Sequence, residues 1–163
     1  MKKISVVLML LGICFSICYG GGELGNAIIK KFYLVGVELT YPKEWSELQT
    51  DILVSLQSPK SFGAPEGSAN YNVVKLELSE IYTLEKLEEY LKALYPDQTW
   101  LPAIHKGVQG FKGSPKELQN LEYISFSEFY FLNPGTVIRI SYQLTAAHLP
   151  EVTAIHQKLN WLP

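Results

Sequence analysis

"ISFSEFYFLNPGTVIRISYQLTA", residues 124 to 146, decides the fold of this chain. Pro134 fixes φ and Gly135 supplies the positive φ that a type II turn requires, so the stretch reads as a long hairpin from Tyr123 to Leu144. On its outgoing strand Ile138, Ile140, Tyr142 and Leu144 alternate with other residues, the period of a β-strand. On its incoming strand Phe126, Phe129, Tyr130, Phe131 and Leu132 occupy both faces. A strand apolar on both faces belongs at the centre of a sheet that is covered on two sides.

Upstream, "NYNVVKLEL", residues 70 to 78, reads as a further strand with Val74, Leu76 and Leu78 in step. Its opening amides, Asn70 and Asn72, fall where a loop enters the strand, and Asx side chains at such edges satisfy backbone groups not yet paired. Earlier still, Val35, Val37, Leu39 and Tyr41 alternate from Phe32 onward until Pro42 stops the strand, placing Trp45 over the sheet's end. Asp51 to Leu56 gives another strand, and "QSPKSFGAPEGSAN", residues 57 to 70, is the longest clear loop.

"YTLEKLEEYLKALYP" is the clearest helix. Thr83 is its N-cap, Glu85 sits in the first turn where the dipole favours a negative charge, and Pro96 forbids continuation. Leu84, Leu87, Leu91 and Leu94 recur at helical spacing, which makes a helix that covers a sheet. A second helix begins near Pro150 and gathers Leu149, Val152, Ile155 and Leu159, with Trp161 beyond it. No internal repeat and no second core is evident. The order of elements describes an α+β chain, a single α/β/α sandwich on a central, mainly antiparallel sheet.

The first residues read differently. MKKISVVLMLLGICFSICYGGG joins two lysines, an apolar run from Ile4 to Ile17 and small residues, the layout of a secretory signal peptide cut near Gly20. The apolar run is too short to span a bilayer comfortably. Residues 1–20 are therefore expected as a signal peptide, 21–31 as a flexible leader and 32–163 as the domain, with the product periplasmic or secreted. A lipid anchor on Cys18 is the lesser alternative, because Ile17 stands where lipoprotein processing wants Gly, Ala or Ser. Loss of Cys14 and Cys18 with the leader leaves no cysteine, which removes disulfides, thiol nucleophiles and thiolate metal sites together. Loss of Lys2 and Lys3 takes the basic count from 14 to 12 against 16 acidic side chains, a formal charge of −4, and Arg139 is the one arginine. Nucleic acid, which calls for a basic stripe, is disfavoured as a partner.

Taken in order, the strand ending "LTYPKEW", the loop leading to "NYNVVKLEL", the helix "YTLEKLEEYL" and the hairpin before a terminal helix resemble the PsbP-like α/β/α sandwich superfamily. That group includes the PsbP subunits of photosystem II, the Ran-binding Mog proteins and bacterial envelope proteins of the DcrB type. The resemblance covers roughly residues 35 to 161. It implies docking onto other proteins more than catalysis. The chain lacks the long basic N-terminal extension of photosystem PsbP, which argues against photosystem binding.

Catalytic chemistry finds little purchase. Ser68 and Ser114 follow glycines but lack the second glycine of a nucleophile elbow. His148, Glu151 and His156 do not share one helical face, so His148 and His156 read as surface histidines, His105 has no triad partners in a nucleophile motif, and no metal or cofactor is expected. Gly107, Gly110 and Gly113 fit turns and bulges better than a phosphate loop, which would need a helix directly after it. The favoured function is a non-catalytic binding or assembly module that docks onto an envelope or secreted protein through the 57–70 loop, with Phe62, Glu66 and Asn70 as its candidate surface. The alternative is a small-molecule or lipid carrier, or a cryptic hydrolase, with an aromatic pocket near Tyr41, Trp45, Tyr71 and Trp100.

Overall fold

The computed structural model describes residues 24–59, 68–118 and 123–163; the expected signal peptide lies outside them, as do Phe62 and Glu66. Strands β1 (Ala27–Phe32) and β2 (Val37–Pro42) form a first hairpin. Strands β3 (Ser46–Gln49), β4 (Leu53–Gln57) and β5 (Ala69–Glu77) follow, and then helix α1 (Leu84–Leu94). The chain continues through β6 (Trp100–His105), β7 (Val108–Gly113) and β8 (Lys116–Leu118) into the long hairpin β9 (Tyr123–Asn133) and β10 (Thr136–Leu144). A 3-10 turn, helix α2 (Leu149–Lys158) and β11 (Asn160–Trp161) close it.

The large sheet has the order β3-β4-β5-β10-β9-β7-β6, with β8 also on β9, and every described pairing is antiparallel. The 124–146 hairpin is central, as its two-faced apolar pattern requires, and Gly135 carries φ of 84° at the turn. A smaller sheet, β1-β2-β11, lies apart from it.

Alternation along the strands divides the core into two. Val54, Leu56, Tyr71, Val73, Ile138, Ile140, Tyr142 and Leu144 face the small sheet and α2, where Phe32, Val37, Leu39, Val152 and Ile155 meet them. On the opposite face Phe111, Phe129 and Val137 meet Ile81 and the α1 residues Leu87 and Leu91. Each such side chain, fully buried, contributes about 1.5–3 kcal/mol. The result is a helix on one side, the large sheet between, and a helix with a small sheet on the other.

Gly110 shows why a particular glycine is needed: a Cβ there would lie 2.0 Å from the Phe129 carbonyl oxygen, so β7 and β9 approach closely only without one. Two expectations need correction. Residues 27–31, expected within a flexible leader, form most of β1, paired from Ala27↔Pro42 to Phe32↔Val37. Of this strand only Phe32 is buried, so hydropathy carried no alternation to signal it. The strand expected from Phe32 onward is broken by the turn at Tyr33–Gly36, where Gly36 adopts φ of 85°.

Candidate functional site

Position 128 interrupts the aromatic strand β9 with a carboxylate that alternation sends inward beside Phe126 and Tyr130. Glu128 is 1% exposed. The Tyr130 hydroxyl donates to its Oε2 at 2.6 Å and the Tyr142 hydroxyl to its Oε1 at 3.3 Å. Lys112 Nζ stands 3.4 Å from Oε1, and His156 Nε2 3.2 Å from Oε2. His156 comes from α2, where it shares a stripe with the buried Val152, Ile155 and Leu159, and its other nitrogen, Nδ1, is 2.9 Å from the Tyr71 hydroxyl. In the neutral ring these two contacts fix the tautomer: Nε2–H donates to Glu128, and Nδ1 accepts from Tyr71.

Burial alone would raise the Glu128 carboxyl; the hydrogen bond and charge of His156, the Lys112 ammonium and the Tyr130 hydroxyl outweigh it and hold the group well below the usual carboxylate range. Tyr71, Tyr130 and Tyr142 are pushed upward, by burial first and by the Glu128 charge next, so their hydroxyls stay protonated. His105 packs beside His156, ring centroids 4.9 Å apart, with its Nε2 at 3.0 Å from the Leu159 carbonyl. Burial, foremost, lowers its basicity.

The chain Tyr71–His156–Glu128 has the order of a nucleophile, base and orienting acid. It lacks the exposure that role demands, since Tyr71 is fully buried within the core. What the cluster can do is join α2 to β5, β9 and β10. His156 is thus no surface residue, as its sequence position had suggested: its side chain is 17% exposed and engaged on both nitrogens. His148 instead sits at the start of α2 with Nδ1 at 3.0 Å from Thr145 Oγ1, and Glu151 lies apart from His156. Among the described residues no group of three or more His, Cys, Asp or Glu is placed to hold a metal ion.

The four aromatic residues expected around one pocket do not surround one. Tyr41, Trp45 and Tyr71 are buried in the core on the α2 side, while Trp100 packs on the α1 side against Phe129, centroids 5.5 Å apart, and Tyr95, 5.7 Å apart. The Tyr41 hydroxyl is bound to Glu47, which Lys30 Nζ also reaches at 2.7 Å. Trp100 does border a cleft, open to solvent, with Tyr95, Gln98, Ser114, Lys116, Ser125 and Ser127.

Asn70, the described member of the expected partner surface, sits at the entry to β5 as its second residue. It lies within the ladder, facing Gln57 on one side and Gln143 on the other, and accepts from Asn72 Nδ2 at 3.2 Å. Its side chain belongs to the α1 face of the large sheet, where α1 does not reach. There the pairing aligns a row of Gln57, Asn70, Gln143 and Ser125. A parallel row holds Ser55, Asn72, Ser141 and Ser127. All eight are partly exposed. Beside them Arg139 lies over the Phe129 ring at 5.8 Å, with Nε buried and without a hydrogen-bond partner.

Near one end of the molecule large apolar side chains stand exposed beside polar ones such as Lys106 and Asn160. The C-terminal segment ties two turns together there: Leu162 N donates to the Gly36 carbonyl at 2.9 Å, and Trp161 Nε1 to the His105 carbonyl at 2.8 Å. Tyr33 and Leu34, on the first turn, are 71% and 57% exposed, and Ile104, before the second, is 71% exposed.

No protein-family model matches the chain, and no curated protein matches it. Solved structures do. The cyanobacterial PsbP (CyanoP) of Synechocystis aligns with TM-score 0.57 at 12% identity, over 87% of this chain and 96% of its own. The fold is PsbP-like. A Pseudomonas aeruginosa protein, PA94, shares it with TM-score 0.55 at 13% identity, over 85% of this chain and 99% of its own. A Bacteroides thetaiotaomicron protein does so with TM-score 0.53 at 12% identity over 86% of this chain, which spans only 50% of that protein's length. At such identities the PsbP-like likeness is one of fold, and function is argued from the site. Among the described residues no helix is long and apolar enough to cross a membrane.

Proposed function

We propose that the mature chain is an exported, non-catalytic module that docks onto a protein partner in the cell envelope. The observation that carries this reading is the exposure of three large apolar side chains, Tyr33 and Leu34 on the 33–36 turn and Ile104 near the end of β6, beside the segments that the C-terminal residues brace. Clustered apolar exposure of this kind marks interaction surfaces, and aromatic anchors dominate their energetics. The acid–base cluster supports the same reading from the other direction, because its carboxylate and hydroxyls are committed to holding α2 on the sheet.

The test is affinity capture from envelope extract with the mature chain and with a Tyr33→Ser, Leu34→Ser, Ile104→Ser variant. A specific protein retained by the wild type and lost by the folded variant is the expected result. Equal retention by both proteins overturns the assignment of the surface, and a copurifying lipid or metabolite with no protein favours a carrier.

A further inference from the structure

The two cross-strand rows on the α1 face form a surface of unusual composition. Row by row they offer amides and hydroxyls only: Gln57, Asn70, Gln143 and Ser125, then Ser55, Asn72, Ser141 and Ser127. Side chains of this kind both donate and accept, without charge. The cleft beside Trp100 and Tyr95 continues the rows at Ser125 and Ser127, so aromatic rings border the polar platform. With a volume of about 70 Å³ the cleft is shallow, so a ligand would lie along the face and place only one edge in it.

Two cations complete it. Lys116 borders the cleft and Arg139 borders the inner row, and neither has a carboxylate within ion-pair distance among the described residues. The Arg139 Nε–H is buried and unsatisfied, which is costly for a group able to make charge-assisted bonds. Elsewhere among the described residues Lys30, Lys31, Lys75, Lys86, Lys92 and Lys112 each face a glutamate, while Lys43, Lys106 and Lys158 do not. The α1 face therefore presents hydroxyl-matching groups, a stacking edge and two cations that have no ion pair among the described residues.

We propose that this face binds an oligosaccharide carrying carboxylates, with its hydroxyls on the Asn, Gln and Ser rows, a ring against Trp100, and carboxylates at Lys116 and Arg139. The site lies apart from Tyr33, Leu34 and Ile104 and stands whether or not they dock a protein.

The test uses the full mature chain and amide chemical-shift titration with trimers of galacturonate, glucuronate and mannuronate, and with maltotriose as the uncharged comparison. At least one uronate trimer is expected to saturate, with shifts confined to β4, β5, β9, β10 and the cleft. Maltotriose should bind about tenfold more weakly or not at all. Lys116→Gln, an exposed change that leaves packing intact, should weaken the uronate about three- to tenfold, and Asn72→Ala by a similar factor. Arg139→Gln should weaken it further, and its folding is checked by the unshifted amides of the α2 side. Absence of saturation with all three uronates overturns the proposal, as does maltotriose binding as tightly, or a Lys116→Gln variant that binds as the wild type does.

Discussion

Replacing Glu128 by alanine should remove a large part of the protein's stability. The carboxylate accepts from Tyr130 at 2.6 Å, Tyr142 at 3.3 Å and His156 Nε2 at 3.2 Å, all in the interior. Alanine removes the acceptor and leaves those donors where water reaches poorly. Breaking a buried pair by deleting one partner costs about 3–5 kcal/mol. The unsatisfied hydroxyls act within that figure, at about 1–3 kcal/mol each when fully stranded. Lys112 adds little, because its side chain is half in solvent. The expected loss is about 4 kcal/mol, against about 5–15 kcal/mol for a whole domain. The melting temperature should fall by about 8–16 °C. Urea unfolding followed by circular dichroism measures the loss directly, and a double-mutant cycle with His156→Phe should return a coupling of about 1–3 kcal/mol. A Glu128→Ala variant within about 1 kcal/mol of the wild type would refute the view that this cluster fastens α2 to the sheet.

Other outcomes follow from the same geometry. Because Glu128 is held below its ordinary range, the stability it contributes is fully present above about pH 5 and is lost as pH falls through and below the usual carboxyl range, so the urea midpoint of the wild type should drop there and that of Glu128→Gln should drop less. Burial lowers His105, so the folded state resists its protonation and loses stability below about pH 6.5; a His105→Gln variant should show a shallower slope of urea midpoint between about pH 7 and 5.5. Gly110→Ala places a Cβ 2.0 Å from the Phe129 carbonyl and should cost about 3 kcal/mol in urea unfolding, whereas Gly25→Ala meets nothing within 4 Å and should stay within about 0.5 kcal/mol. Thr83→Ala removes the acceptor for Lys86 N at 3.2 Å and should lower stability by about 1 kcal/mol, read from the same titration.

The central hairpin was legible because Pro134–Gly135 fixes a turn and because a strand apolar on both faces has one place to go. Helix α1 was legible from its cap and stripe. Strands β1 and β3 were not: each is mostly exposed and held by backbone pairing, which leaves no hydropathic trace. The buried cluster leaves a trace in the hydropathy pattern. Glu128 is in phase with the inward Phe126 and Tyr130, and His156 with Val152, Ile155 and Leu159, so each polar residue occupies a core position whose only stable use is a buried partner. What sequence could not supply was that these two positions meet, since β9 and α2 are joined only by the fold. Position along the chain marks Asn70 and Asn72 as strand-entry amides but does not reveal the neighbouring strands. Once β4, β5, β10 and β9 are aligned, they become members of two polar rows.

The docking proposal is tested most directly by photo-crosslinking in the cell that makes the protein, with a photoreactive residue placed in turn at positions 33, 34 and 104 and, as the control, at Glu88 on the exposed side of α1. The account predicts one discrete adduct with an envelope protein from the three exposed apolar positions and none from position 88. Adducts that form equally from position 88, or apolar positions that yield none while the protein is present in the envelope, would contradict it.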